Sequence, residues 1–585
     1  MIVWDLAQGS IAVEVLADHP LTDELEFHRL FEHVLDDPFA VLLDSAASAS
    51  RFSRRSVIAI EPESLLVARS SPLLAAGQAQ LELHVWNEAR GDAPSVRRFH
   101  GAPFAELERM LAERRLPAEL RSQLPEGFVG GAVGFAGYDS GRFLERLPER
   151  AARDLDLPEL CFLFVDCVLL YEHETRMLRW VTSARGRDRS EAETRCQARM
   201  AQLRERFAPP SHARDAARAC EPTAGTADAE LRGSEAAPLS RDAARARDPA
   251  AGAADAELRG SEAELRAPDA ALMRDRAVVS ANAVFDSDDA GREGTRARLL
   301  TPIGELRAEI TRDGYAEMVR AAKAQIMAGN VFEVCTSQRL EAAFPRDRRA
   351  AWDLYLALRA HSPASFACCV LTPFAALLSS SPERFLQLSE SGWAESRPIK
   401  GTRPRGSTAA EDARLHSELA SSEKDRAENV MIVDLVRNDL GRVCAVDSVH
   451  VPELMIVEAH PSVFHMVSTI RGQLEQGVSP VQLFAACFPP GSMTGAPKIE
   501  AMKVIDALEP VRRGIYAGAV GYFDLGGAID FSVVIRSFVI SEGRCTFNVG
   551  GAVVADSDPE AEYRESMDKA RALVAALDEQ RGRTR

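Results

Sequence analysis

Ile515-Tyr-Ala-Gly-Ala-Val-Gly-Tyr-Phe523, Ala528-Ile-Asp-Phe-Ser-Val-Val-Ile-Arg-Ser-Phe-Val-Ile540 and Cys545-Thr-Phe-Asn-Val-Gly-Gly-Ala-Val-Val-Ala555 are three β-rich runs. Only Asp524-Leu-Gly-Gly527 and Ser541-Glu-Gly-Arg544 separate them. Short Gly-bearing turns between apolar, β-branched runs predict an antiparallel meander. Asp558 to Leu577 follows as an amphipathic helix, which Pro559 helps to start.

Upstream, Tyr315 to Ala328 has helical periodicity, with Met318, Val319, Ala322, Ile326 and Met327 on one face. Gly329-Asn330 stops that helix, and Val331 to Thr336 reads as a strand. In residues 1–185 the run Leu160 to Tyr171, followed by Met177 to Thr182, predicts a buried hairpin. Between Phe207 and Phe285 there is no Phe, Tyr or Trp, and two segments recur at a 27-residue offset: Arg214–Ala219 as Arg241–Ala246, and Ala227–Ala236 as Ala254–Ala263. Two copies without an apolar face do not make a solenoid. The expected organisation is an N-terminal region over 1–185, a low-complexity linker over 186–300, and a catalytic domain over 301–585.

Composition narrows the class. A hydrophobic content of 46% with 27% charged residues is that of a globular protein, and no apolar stretch is long enough to span a bilayer. The opening Met-Ile-Val-Trp-Asp lacks a basic segment before an apolar one, so no signal peptide is expected. Ten cysteines without CxxC spacing suit reduced thiols in a cytoplasmic protein. The net charge of −17 argues against nucleic acid as a partner and requires local cations or a metal for any anionic substrate.

Lys400 stands in Arg397-Pro-Ile-Lys-Gly-Thr-Arg-Pro-Arg405. The prolines fix the backbone there and Gly401 lets it turn closely. A lysine so held in an apolar setting can lose its proton by desolvation and act as a nucleophile; a salt-bridged lysine at a turn is the other reading. Asp425 and Glu428, and likewise Glu562 and Glu565, lie three residues apart on single helical faces, with Lys569 four residues beyond Glu565. One carboxylate from each helix, meeting in a cleft, would suit Mg²⁺; solvated surface acids would show the same spacing. Pro489 to Lys498 is a Gly/Pro-punctuated loop whose amides can face an anion. Arg536, in an apolar strand, needs an anionic partner if it points inward, and Tyr516 could share it. His465 reads as a core histidine or a site residue.

Together, Ser381-Pro-Glu-Arg-Phe385, Pro398-Ile-Lys-Gly-Thr402, Ser422 to Asn429, Asp434 to Arg442, the 489–498 loop and Ala555 to Lys569 resemble the chorismate-utilising enzymes over about residues 307–579. The resemblance implies an α+β fold of facing antiparallel sheets with helices packed outside, interrupted by the linker. It implies that Lys400 attacks carbon 2 of chorismate, that Glu383 protonates the hydroxyl leaving carbon 4, and that ammonia enters there to give 4-amino-4-deoxychorismate for folate synthesis. Anthranilate formation is the alternative within the family. It further implies Mg²⁺ on Glu428 and Glu565, supported by Asp425, Glu562 and Lys569. Thr402, His465, Tyr516, Arg536, Gly550 and Gly551 would line the substrate site. No cysteine has a glutaminase-type G-x-C-x-G setting, so ammonia is expected from a separate glutamine amidotransferase subunit. Glu333 departs from the family pattern: isochorismate-forming members carry a lysine base there and many amine-forming members a Gln.

Replacing residues 208–284 by a short Gly/Ser linker should leave thermal stability and turnover nearly unchanged, because loop-closure cost changes by only ~0.6 kcal/mol per doubling of length. Unfolding of the shortened chain would make the segment a structural part of the protein.

Overall fold

The computed structural model describes residues 1–207, 277–278 and 303–584, apart from short stretches at 7–8, 22–23, 47–53, 72, 87–92 and 462. The duplicated segment expected to be a linker lies outside the described residues. The boundary set at 185 moves: strand Met177–Gly186 continues into helix Arg189–Arg206, whose Ala192, Cys196, Met200 and Leu203 are buried. Low aromatic content hid this helix, which packs through small and sulfur-bearing side chains. Inside the expected linker, Ala277–Val278 pairs with Arg307–Ala308.

Two antiparallel sheets form the body, with 14 and 12 strands among the described residues. The chain's two halves are interleaved in both. In the first sheet Ala40–Asp44 pairs with Phe366–Leu371; in the second Gly131–Ala136 pairs with Ala519–Asp524. Side chains from both sheets, among them Val41, Leu65, Phe135, Leu163, Leu170, Val370, Val520 and Val539, form one shared core. Helices Arg312–Met327, Arg348–His361 and Pro559–Thr584 pack on the first sheet. Helices Pro103–Ala112, Glu423–Gly441 and Pro480–Cys487 pack on the second through Phe104, Ile432 and Phe484. No described helix is long and apolar enough to cross a membrane. The nine described cysteines are free and buried.

The expected antiparallel pairings form, but one run in each group is split between the two sheets. Leu160–Val165 belongs to the second sheet, whereas Cys167–Glu172 belongs to the first and pairs with Met177–Gly186. The C-terminal meander divides likewise: Ala519–Asp524 with Ile529–Val533 in the second sheet, Ser537–Ser541 with Arg544–Val553 in the first. Both runs are mostly apolar, since both faces of each strand are covered, so they show no alternation whose interruption would mark the change; the polar residues at the crossings are Asp166 and Arg536. At residue 536 the backbone enters the left-handed region, φ +49°, which turns the chain from one sheet to the other. On helix Arg312–Met327 the buried face holds Tyr315, Met318, Val319 and Ala322, but Met327 is 77% exposed because the helix end overhangs the sheet.

Asp44 ties the halves together. Its carboxylate accepts from Ser56 Oγ at 3.2 Å, Tyr355 OH at 2.8 Å and Arg359 Nε at 2.8 Å, and meets His28 Nε2 at 3.1 Å. Burial pushes its pKa up, but His28, Arg359 and Tyr355 outweigh this and hold it well below the usual carboxylate range. A depressed carboxylate contributes stability that is complete above its unfolded pKa and is lost as pH falls through the folded one. Asp44→Ala removes the buried acceptor that Ser56, Tyr355 and Arg359 share and should destabilise by about 3 kcal/mol. A lowered denaturation midpoint at pH 7, with the gap to the parent shrinking in strong acid, is expected; an unchanged midpoint would refute the role.

Candidate functional site

Lys400 lies in strand Ile399–Pro404, where the pairing with Val463–Gln473 slips between Ile399 and Thr402. Such a bulge re-aims a side chain. Gly401 makes it possible: its φ is +87°, and a Cβ there would sit 2.8 Å from Leu419 Cδ1 and 2.9 Å from Asp425 Cγ. The lysine is thereby turned inward and 8% exposed.

Its setting is not the apolar one expected. Lys400 Nζ donates to Glu333 Oε1 at 2.6 Å. Burial pulls the lysine pKa down, but Glu333, Cys335 and Glu428 outweigh it, so the group stands well above its ordinary value and is charged. The partner lies 67 positions away in sequence, on strand Glu333–Ala343, beyond the reach of any local spacing argument.

Glu383 sits just after strand Ala376–Ser381 of the first sheet and just before Arg384–Leu388 of the second. Val533 N donates to its carbonyl at 3.0 Å, and Ser380 N donates to the carbonyl of Arg536 at 3.2 Å. Both crossings between sheets therefore run side by side and carry a charged side chain each. Burial pushes the Glu383 carboxyl up to about 7, against the Ser492 hydroxyl hydrogen bond at 2.5 Å and the nearby Lys400 charge. A carboxyl so poised is substantially protonated near neutrality and can donate a proton.

The two acid pairs converge. Burial, with the Glu333 and Glu565 charges adding, pushes Glu428 up to about 7 despite Lys400 and Lys424. Glu565 is held low by Lys569, whose Nζ is 2.9 Å from Oε1 and also donates to the Gly550 carbonyl at 2.9 Å. Glu562 accepts from Ser557 Oγ at 2.7 Å, while its Oε2 is buried without a partner. Asp425 turns aside to Arg403 at 3.0 Å. Among the described residues no group of three or more His, Cys, Asp or Glu side chains is arranged to hold a metal ion. Two carboxylates fit Mg²⁺ nonetheless, since this ion keeps water and substrate oxygens. The Glu562 oxygen that is buried without a partner points the same way.

The remaining residues fall in two groups. Arg536 has no acidic partner among the described residues, and burial alone lowers its pKa. His465 pairs in register with Thr402; both its ring nitrogens are buried without a partner, and burial, Arg536 and His460 keep it neutral. Gly550 and Gly551 pair with Ser337 and Thr336, and a Cβ on Gly551 would lie 3.1 Å from Glu562 Oε2. Tyr516 is associated with Arg513, whose guanidinium is 5.9 Å from its ring. Sequence reasoning missed Ser492, although it lies in the 489–498 loop. It missed Lys424 too, whose Nζ stands 3.3 Å from Glu562 and 3.8 Å from Glu428; its place four residues before Glu428 was the available signal.

A family model described as chorismate binding enzyme matches residues 240–575. The aminodeoxychorismate synthase of Streptomyces pristinaespiralis is 52% identical over 263 residues, which is 45% of this chain and 36% of that protein. The chain thus matches little over a third of that relative's length. Aminodeoxychorismate synthase component 1 of Klebsiella aerogenes is 31% identical over 556 residues, 95% of this chain and 97% of that one. The crystal structure of anthranilate synthase component I from Streptococcus pneumoniae TIGR4 shares the fold, with a TM-score of 0.63 at 23% identity over 90% of this chain and 93% of that one.

Lys424 occupies the space between the carboxylates as an internal counter-ion. Lys424→Met should therefore bind Mg²⁺ a few-fold more tightly by calorimetry, the half-exposed lysine being partly screened. Weaker binding in the variant would mean that the lysine helps to build the site.

Proposed function

Since the chain belongs to the chorismate-binding enzyme family, we propose that it aminates chorismate at carbon 4, giving 4-amino-4-deoxychorismate. The observation that carries this reading is Lys400, a buried lysine within electrostatic reach of a carboxyl poised near neutrality, Glu383. The amine of Lys400 forms a bond to carbon 2 of the ring, the two conjugated ring double bonds each move one position, and the hydroxyl leaves carbon 4 as water with the Glu383 proton. Ammonia then bonds to carbon 4, both double bonds move back, Lys400 departs, and the new ammonium returns a proton to Glu383.

Glu428 and Glu565 would hold Mg²⁺, which when bound supplies positive charge at the ring carboxylate and makes carbon 2 more electrophilic. Arg536 binds the enolpyruvyl carboxylate; its want of an acidic partner supports this, and neutral His465 beside it adds no competing charge. The amides of Gly550 and Gly551 line the same cleft. A glutamine amidotransferase subunit supplies ammonia, consistent with similarity to a relative named as component 1. The product would feed p-aminobenzoate and folate synthesis in the cytoplasm.

Chorismate with ammonium and Mg²⁺ should yield a product of mass-resolved 4-amino-4-deoxychorismate, its enolpyruvyl group intact, and Lys400→Ala should lower the rate ~100-fold or more. Anthranilate with stoichiometric pyruvate would replace this reading with the other amination of the family. An undiminished rate in the variant would make Lys400 only a positioning charge.

A further inference from the structure

Glu333 is the acid of the cleft for which the mechanism above has no use. It is wholly buried. One oxygen accepts from Lys400 Nζ at 2.6 Å, and the other is buried without a hydrogen-bond partner. Its backbone is fixed by pairing with Ala496. Cys335 Sγ lies 4.0 Å from the same oxygen and donates at 3.2 Å to the Ser492 carbonyl. No arginine or second lysine is paired with it among the described residues.

This arrangement makes a chemical demand. A charged lysine has no lone pair with which to attack a ring carbon, yet the groups around it favour the charge. Cys335 lies on the strand of Glu333, Glu383 at the crossing between sheets, Glu428 on helix Glu423–Gly441 and Glu565 on helix Pro559–Thr584; Arg513 and Lys569 stand farther out. Loss of the proton from so enclosed a group to bulk water is slow, because it separates charge in a dry site. The carboxylate already in contact can take it directly.

We propose that Glu333 is a catalytic base that takes the Nζ proton of Lys400 as the amine attacks carbon 2, and returns it when the amine leaves. The proposal rests on the reading of Lys400 as nucleophile. At the start the ammonium proton passes to Glu333, giving a neutral amine and a carboxylic acid. The amine forms its bond to carbon 2 as an ammonium adduct, while the carbon 4 hydroxyl leaves with the proton of Glu383. Ammonia then attacks carbon 4; the carbon 2–nitrogen bond breaks and its electron pair returns to Lys400 as both double bonds move back. The new ammonium group at carbon 4 gives a proton to Glu383, and Glu333 gives its proton to Lys400. Both pairs are restored, and the sum is chorismate plus ammonia to product plus water.

The test is the rate of Lys400 adduct formation against pH, read by intact-protein mass spectrometry in rapid quench, for the parent and Glu333→Gln. In the parent the proton stays within the pair, so no limb comes from Lys400, and that of Glu383 falls above about pH 7. The amide of the variant cannot take a proton, so its amine must be freed to solvent. The ratio of variant to parent rates should then rise by roughly tenfold per pH unit between pH 6 and 8, a dependence that a merely positional role would not produce. A ratio that is low but flat with pH would overturn the proposal while leaving Lys400 as nucleophile. Absence of any Lys400 adduct in the parent would instead remove the reading beneath it. Should Glu333→Gln fail to fold, Glu333→Ala with formate gives the second readout: saturable recovery of adduct formation is expected, and a folded variant without recovery refutes the base.

Discussion

Hydrogen bonding between the two halves of the chain is the constraint on which the rest depends. Each sheet is completed only when an N-terminal strand meets a C-terminal one, Ala40–Asp44 with Phe366–Leu371 and Gly131–Ala136 with Ala519–Asp524. Buried polar ties reinforce both seams: Asp44 with Tyr355 and Arg359, and Asp524 with Arg121 at 3.0 Å. The N-terminal half supplies none of the residues assigned to chemistry. It closes the sheet edges that hold Glu383 and Arg536 at neighbouring crossings, and so fixes an acid and a cation in one cleft.

The cleft concentrates a tension already visible in the net charge of −17. Glu333, Glu383, Glu428, Glu562 and Glu565 are set close together, and desolvation would drive such a group apart or neutralise it. Three lysines prevent this from within: Lys400 on Glu333, Lys424 between Glu428 and Glu562, Lys569 on Glu565. What remains uncompensated is informative. Glu383 and Glu428 are both pushed up to about 7, the one proposed above as proton donor and the other as a Mg²⁺ ligand.

Much of this was legible in one dimension. Lys400 drew notice because proline and glycine flank it, and the same glycine forms the bulge that turns it inward. The acid pairs at i,i+3 spacing do lie on helical faces turned toward one another. The sequence could not disclose partners brought in by sheet register, above all Glu333, which decides between the two readings of Lys400 in favour of the salt-bridged one. Nor could apolar runs reveal where the chain leaves one sheet for the other, because strands covered on both faces have no alternation to interrupt. The helix Arg189–Arg206 escaped for a different reason: its contact face, Ala192, Cys196, Arg199, Met200 and Leu203, holds no aromatic.

Interleaving also sets an order of events at the ribosome. Ala40–Asp44 can pair at once with Arg55–Ile60, its neighbour in sequence. Its other edge waits for Phe366–Leu371, roughly 320 residues later, on the order of 15–65 s at ordinary rates of chain elongation. For that interval the nascent chain exposes an apolar strand with unpaired amides and carbonyls, the kind of edge that recruits other chains. Polysomes would carry several such edges near one another, so a holdase acting on the N-terminal half would raise the yield of folded protein without altering its final stability.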